Sequence, residues 1–211
     1  MNILKQHTSF NDITLETLVI SEKKNMENSP LWAELIAFAG EALTTWLQSG
    51  EISSDKKKLT KLPVLLSSNS NVKRILFVGL GDANKLVEQD VREAFGLVGK
   101  EIKALKQSGV AIWLDSFVTE EMNVLDVAHV AAEGSTLGYF TIANYKTTSN
   151  EVEKYYEEVE LVTAADIDEV AASFKVGRIY GEAVNAARTL INLPPNMLTA
   201  TDLANYAVEL A

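Results

Sequence analysis

Apolar residues recur along this chain in two rhythms. From Pro30 onward Leu31, Leu35, Phe38, Ala42, Leu43, Trp46 and Leu47 repeat at helical spacing, giving one broad apolar face that Ser49-Gly50 closes. Ser29 caps this helix, and Pro30 opens it where a missing N–H costs nothing. Ile13 to Ile20 alternates in part and reads as a strand entering a core. Leu59 to Leu66 reads as another, with Pro63 marking an edge or a bulge. Arg74-Ile75-Leu76-Phe77-Val78 is a continuous apolar run ending in Gly79-Leu80-Gly81-Asp82, the pattern of a buried parallel strand opening into a loop.

Helical spacing returns from about Glu88 to Gln107, where Val91, Phe95, Val98, Ile102 and Leu105 share a face. Val110 to Leu114 reads as a strand and Glu120 to Leu137 as a helix; Gly138 to Lys146 begins a polar turn region. Glu157 to Thr163 is a further strand, whose acidic context suits a sheet edge. Asp166-Ile-Asp-Glu169 forms a capping box for a long helix reaching about Asn192. Gly177 and Gly181 cost that helix stability, so close approach of another element is expected on their shared face. Pro194-Pro195 ends it by forcing Leu193 out of the helical region. Thr199, answered by Asp202, then caps a helix from Ala200 to Ala211 with Leu203, Tyr206, Ala207 and Leu210 on one side.

The alternation of strand and helix predicts an α/β fold: a mostly parallel mixed sheet with helices on both faces. The expected organisation is an α/β domain over 1–165, a connecting helix over 166–192, a Pro-rich hinge over 193–199 and the start of a further unit over 200–211.

Composition narrows the chemistry. The 211 residues are 47% apolar, enough for a substantial core, and contain no cysteine, which excludes disulfides, thiolate zinc sites and cysteine nucleophiles. A net charge of −10 opposes nucleic-acid binding. The basic cluster Lys56-Lys57-Lys58 with Lys61 has no interleaved aromatics and reads as a solvated loop and strand edge. With no leader-like N-terminus and no apolar run of membrane length, the expectation is a soluble, cytoplasmic protein that binds no membrane.

Gly79-Leu80-Gly81 invites a dinucleotide-binding reading, but the third glycine of the fingerprint falls on Asn84, and the candidate acidic residue, Asp115, lies beyond the usual interval. The plainer reading is a tight turn after a buried strand. His129 and Glu133 share a helix face and could form half of a metal site, yet the other histidine, His7, completes no motif. Tyr155-Tyr156 reads as a strand face. Arg188 could bind a carboxylate or phosphate, or else pair with an acidic side chain or a helix end.

Ala187-Arg188-Thr189-Leu190-Ile191-Asn192-Leu193-Pro194-Pro195-Asn196, followed by Leu198-Thr199 and Leu203-Ala204, resembles the junction between the N-terminal and catalytic domains of leucyl (cytosol) aminopeptidases, the two-metal family. Thr189, Ile191 and Ala200 stand where that family usually has Asp, Val and Pro. Arg74 to Gly81, Glu133-Gly134, Leu137-Gly138-Tyr139-Phe140 and Tyr145-Lys146 resemble further family segments in the same order.

The resemblance implies a macro-domain-like fold and a role as the non-catalytic N-terminal domain of a metal-dependent aminopeptidase, concerned with assembly or regulation. It also implies two divalent ions, manganese or zinc, in the full-length enzyme, with a C-terminal catalytic domain of the same chain and a homo-hexamer as partners. No catalytic, cofactor-binding or metal residue of the family maps onto these residues. Two alternatives remain at this point: a stand-alone macro-like module that binds ADP-ribose or another nucleotide through Gly79–Gly81, and a structural subunit without ligand.

Overall fold

The computed structural model describes residues 2–7, 9–23, 30–40, 42–63, 71–107, 109–142 and 158–210. Ser29, Tyr145-Lys146 and Tyr155-Tyr156 lie outside the described residues. The strands are β1 (Asn2–His7), β2 (Thr17–Lys23), β3 (Leu59–Pro63), β4 (Arg74–Gly81), β5 (Gly109–Trp113) and β6 (Glu158–Val162). The helices are α1 (Pro30–Ala39), α2 (Ala42–Gln48), α3 (Glu88–Ala104), α4 (Val124–Tyr139), α5 (Ile167–Asn192) and α6 (Ala200–Leu210).

Among the described residues six strands form one sheet in the order β1-β6-β5-β2-β4-β3. Every pairing is parallel except β3 with β4, so the strand carrying Pro63 is an antiparallel edge, where a missing donor is tolerated. Alternation along the strands sorts side chains to two faces. Leu18, Ile20, Ile75 and Phe77 pack under α1 and α2 with Trp32, Leu35 and Leu43. Val19, Leu76 and Val78 face α3 and α4, meeting Phe95, Val98, Val130 and Ala131. The expected mixed sheet with helices on both faces is therefore observed. No helix among the described residues is long and apolar enough to cross a membrane.

Several boundaries differ from expectation for local reasons. The helix predicted from Pro30 to Leu47 is divided, because Gly40 adopts a left-handed φ of 86° at the end of α1. The strand expected from Ile13 begins at Thr17, after a 3-10 turn at Phe10–Asp12 whose N-cap is Ser9. The helix expected from Glu120 begins at Val124, where the Asn123 side chain accepts from the Leu125 and Asp126 amides. β6 is interior to the sheet, between β1 and β5, and not at an edge: its odd and even positions are buried alike. β1 was not anticipated.

On the sheet face opposite α1 and α2, three helices, α3, α4 and α5, share one apolar core with the strands. α4 lies between α3 and α5, and small residues set both contacts. A Cβ on Gly138 would stand 2.0 Å from the Gly96 carbonyl oxygen, and one on Gly177 would stand 2.0 Å from the His129 carbonyl oxygen. One on Gly181 would meet Thr136 Cβ at 2.8 Å. The close approach expected of Gly177 and Gly181 is thus realised against α4. Asp166 caps α5 through the amides of Asp168 and Glu169, and Leu193 leaves the helix at ψ 137° just before Pro194. Thr199 and Asp202 hydrogen-bond reciprocally, and the Thr199 hydroxyl and amide hold the Asp202 carboxyl below its usual range.

Gly177→Ala tests this packing. Alanine favours a helix over glycine by about 1 kcal/mol. Here the added methyl meets backbone, so we expect a net loss of about 1–3 kcal/mol in urea unfolding; a stabilised variant would show that α4 and α5 do not approach this closely.

Candidate functional site

The loop after β4 is filled by the chain itself. The Gly79 amide donates to the Lys58 carbonyl at 2.8 Å, the Lys57 amide donates to the Gly79 carbonyl at 3.2 Å, and the Gly81 amide donates to the Ser54 carbonyl at 2.6 Å. A Cβ on Gly79 would sit 2.1 Å from the Asp55 carbonyl oxygen, so this glycine admits the crossing segment 53–58. Gly81 supplies a φ of 78°. A phosphate cradle needs free backbone amides converging on an anion, and here those amides are spent. Asn84 sits in a 3-10 turn capped by Asp82. Asp115 accepts from the Thr163 hydroxyl at 2.6 Å and the Ala164 amide at 3.0 Å, fixing the exit from β6.

The basic cluster is likewise directed inward to the chain. Lys56 pairs with Asp90 at 2.7 Å, Lys57 with Glu93 at 2.8 Å and Lys61 with Glu101 at 2.8 Å, so three of its four ammonium groups lie along α3. Asp90 also accepts from the Val87 amide at the start of α3. Burial pushes its carboxyl up, but the bonds from Lys56 and Val87, with the charges of Lys56 and Lys57, bring it below the ordinary value. Lys57 and Glu93 hold each other charged, Lys57 raised and Glu93 lowered.

His129 and Glu133 do share a face of α4, with Nε2 and Oε2 3.7 Å apart. Glu133 Oε2 also accepts from Arg92 Nε at 2.7 Å, and Arg92 reaches Glu88 and Gln89 as well. The His129 ring stands edge-on to Tyr180 at 5.3 Å. A divalent ion at Glu133 would have to displace a guanidinium. Among the described residues no group of three or more His, Cys, Asp or Glu is placed to hold a metal, so these residues do not fit one. His7 is buried, 3.6 Å from Glu160.

Glu160 is a buried carboxylate missed in the sequence. It accepts from the Thr14 amide at 2.8 Å, the Leu15 amide at 3.3 Å and the Thr14 hydroxyl. Its place in an alternating Glu-Val-Glu-Leu-Val run suggests a solvent face, so no local signal marks it.

Arg188 takes the helix-end option. Its Nη1 donates to the Leu137 carbonyl at 3.2 Å and to Asn185 Oδ1 at 3.2 Å, and its Cζ lies 5.7 Å from the Phe140 ring centre. Beside it a cleft of about 340 Å³ opens between α3 and α4.

Two outcomes follow from this geometry. Saturating ADP-ribose should leave the melting temperature of the chain unchanged, whereas saturable stabilisation would show that the Gly79–Gly81 segment opens to a ligand. Because Asp90 titrates below its ordinary value of 3.8, its stabilisation is present above that value and is lost as pH falls through the depressed range. Asp90→Asn should therefore flatten the acid limb of a stability-against-pH curve; an unchanged limb would assign the acid sensitivity elsewhere.

The fold and these sites can be set beside known proteins. Two structures of the bottromycin maturation enzyme BotP, one in complex with Mn, are similar at 20% and 19% identity. Their TM-scores are 0.67 and 0.68, over 94% and 93% of this chain and 37% and 36% of theirs. A tomato leucine aminopeptidase mutant is similar at 20% identity and a TM-score of 0.79, over 100% of this chain and 42% of that one. The chain thus spans less than half the length of these structures. Residues 19–149 match the model of the cytosol aminopeptidase family, N-terminal domain, and on that match the chain belongs to the cytosol aminopeptidase family.

Proposed function

We propose that this chain is the non-catalytic, assembly or regulatory domain of a cytoplasmic, metal-dependent aminopeptidase that removes N-terminal amino acids from peptides. The observation that carries this reading is the match of residues 19–149 to a domain that stands N-terminal in its family. In this reading 1–165 form that domain, 166–192 connect it, 193–199 are the hinge and 200–211 begin a catalytic domain. Two divalent ions, manganese or zinc, belong to the catalytic domain, where they would activate the attacking water and polarise the peptide carbonyl. The Mn complex of BotP supports metal dependence within this fold. The full-length protein assembles as a hexamer.

The exit of the chain supports the division. None of the α6 residues is buried, and Leu203, Val208 and Leu210 are in solvent. A helix of this length gains its stability by covering an apolar face, and a catalytic domain would supply the cover. The spent amides at Gly79 and Gly81 favour no nucleotide-binding reading.

The test is to extend the reading frame past Ala211 and assay both lengths on a leucyl-anilide substrate with added manganese or zinc. Turnover is expected from the extended protein and none from the folded 211-residue chain. Robust activity that stays with the short chain through purification would overturn the division of labour, and a stop codon after Ala211 would overturn the aminopeptidase reading itself.

A further inference from the structure

The cleft between α3 and α4 has no part in the division of labour proposed above. Gln89, Arg92, Glu93, Gly96, Leu97 and Lys100 line it from α3, stepping by three and four residues, so they form one stripe about 16 Å long on that helix. Gly134, Leu137 and Gly138 form the opposite wall. The groove exists because Gly138 packs on the Gly96 backbone: two helices meet with no side chains between them, leaving a shallow apolar trough above the contact.

The two ends of the trough differ in charge. At the Arg92 end the cations are answered, Arg92 by Glu88 and Glu133 and Lys57 by Glu93. At the other end Gly99 lies against Gly138 and Tyr139, which brings Lys100 to the part of α4 where Arg188 sits. Among the described residues neither the Lys100 ammonium nor Nε and Nη2 of Arg188 has a hydrogen-bond or ion-pair partner, and the Arg188 guanidinium faces the Phe140 ring. Arg188 Nη1 already takes the Leu137 carbonyl, offsetting the negative end of the α4 dipole. In a chain of net charge −10 this is a local cationic pair beside apolar surface, in a volume suited to a small ligand.

We infer that the cleft binds an apolar group ending in a carboxylate, with the carboxylate at Lys100 and Arg188 and the apolar body over Gly96, Leu97 and Leu137. Guanidinium and ammonium together suit a carboxylate, and the trough leaves no depth for a bulky polar body. The C-terminal residue of a peptide and a free aliphatic acid share this chemistry.

Titration of the 211-residue chain at low salt with N-acetyl-leucine, hexanoate, N-acetyl-leucinamide and inorganic phosphate, followed by calorimetry or amide chemical shifts, tests the assignment. Saturable binding of N-acetyl-leucine is expected, with hexanoate weaker if the source is a peptide terminus and equal if any aliphatic acid is accepted. Lys100→Glu, at an exposed position, should weaken it by about tenfold, the value of one lost charge-assisted hydrogen bond. Lys175→Glu, the same charge change on α5 away from the cleft, should not. Arg188→Met should also weaken it, and Lys100→Glu keeps the test decisive if that variant unfolds. Equal binding of the amide, equal binding of phosphate, no saturation by either acid, or equal weakening by Lys175→Glu would overturn the inference.

Discussion

The outer half of this molecule depends on how closely α4 can approach its neighbours. Helices with ordinary side chains pack at about 8–10 Å between axes, and a Cβ that would fall 2.0 Å from a backbone oxygen marks a contact that only glycine allows. Each such glycine weakens its own helix by roughly 1 kcal/mol relative to alanine. That cost is offset because α4 contacts the core on one side and receives α5 on the other. The same contacts fix where α5 runs, and therefore where the Pro194-Pro195 hinge delivers α6.

The close approach also has a consequence for surface chemistry. Where two helices touch through backbone, no side chains rise above the seam, and a trough results whose character is set by the residues beside it. Along α3 those residues are charged at both ends and apolar between. Most of the charges are engaged: Lys56, Lys57 and Lys61 pair with Asp90, Glu93 and Glu101 of α3 and bind the segment around β3 to the helix layer. The cationic end near Arg188 stands out against that background.

Much of this arrangement is legible in the sequence, because strands buried on both faces and helices with one apolar face leave distinct periodicities. β4 and β5, the face of α3 and the caps at Asp166 and Thr199 follow from local pattern alone. Gly177 and Gly181 announce a contact without naming the partner, since spacing encodes a face and not its neighbour. What fails is non-local. The strand holding Glu160 looks like an edge because acidic residues flank it, and the donors that make burial of that carboxylate tolerable, the amides of Thr14 and Leu15 and the Thr14 hydroxyl, come from far away in sequence. The apolar spacing runs through Gly40 without a break, and only its positive φ divides α1 from α2. The Gly79–Gly81 loop resembles a ligand site because glycine serves both anion cradles and chain crossings, and its occupant, segment 53–58, cannot be read from the motif.

The pairing of β1 with β6 joins the first and last strands among the described residues. Asn2 finds Glu158 only after about 150 further residues have left the ribosome, so at 5–20 residues per second the N-terminal strand waits on the order of ten seconds or more for its partner. Until then β5, the other neighbour of β6, has an open edge as well. The sheet can grow from β2, β4 and β5 outward but is closed only by the strand that precedes α5. Burial of His7 and Glu160 at that seam thus waits on β6, the strand that brings Glu160 beside the N-terminal segment.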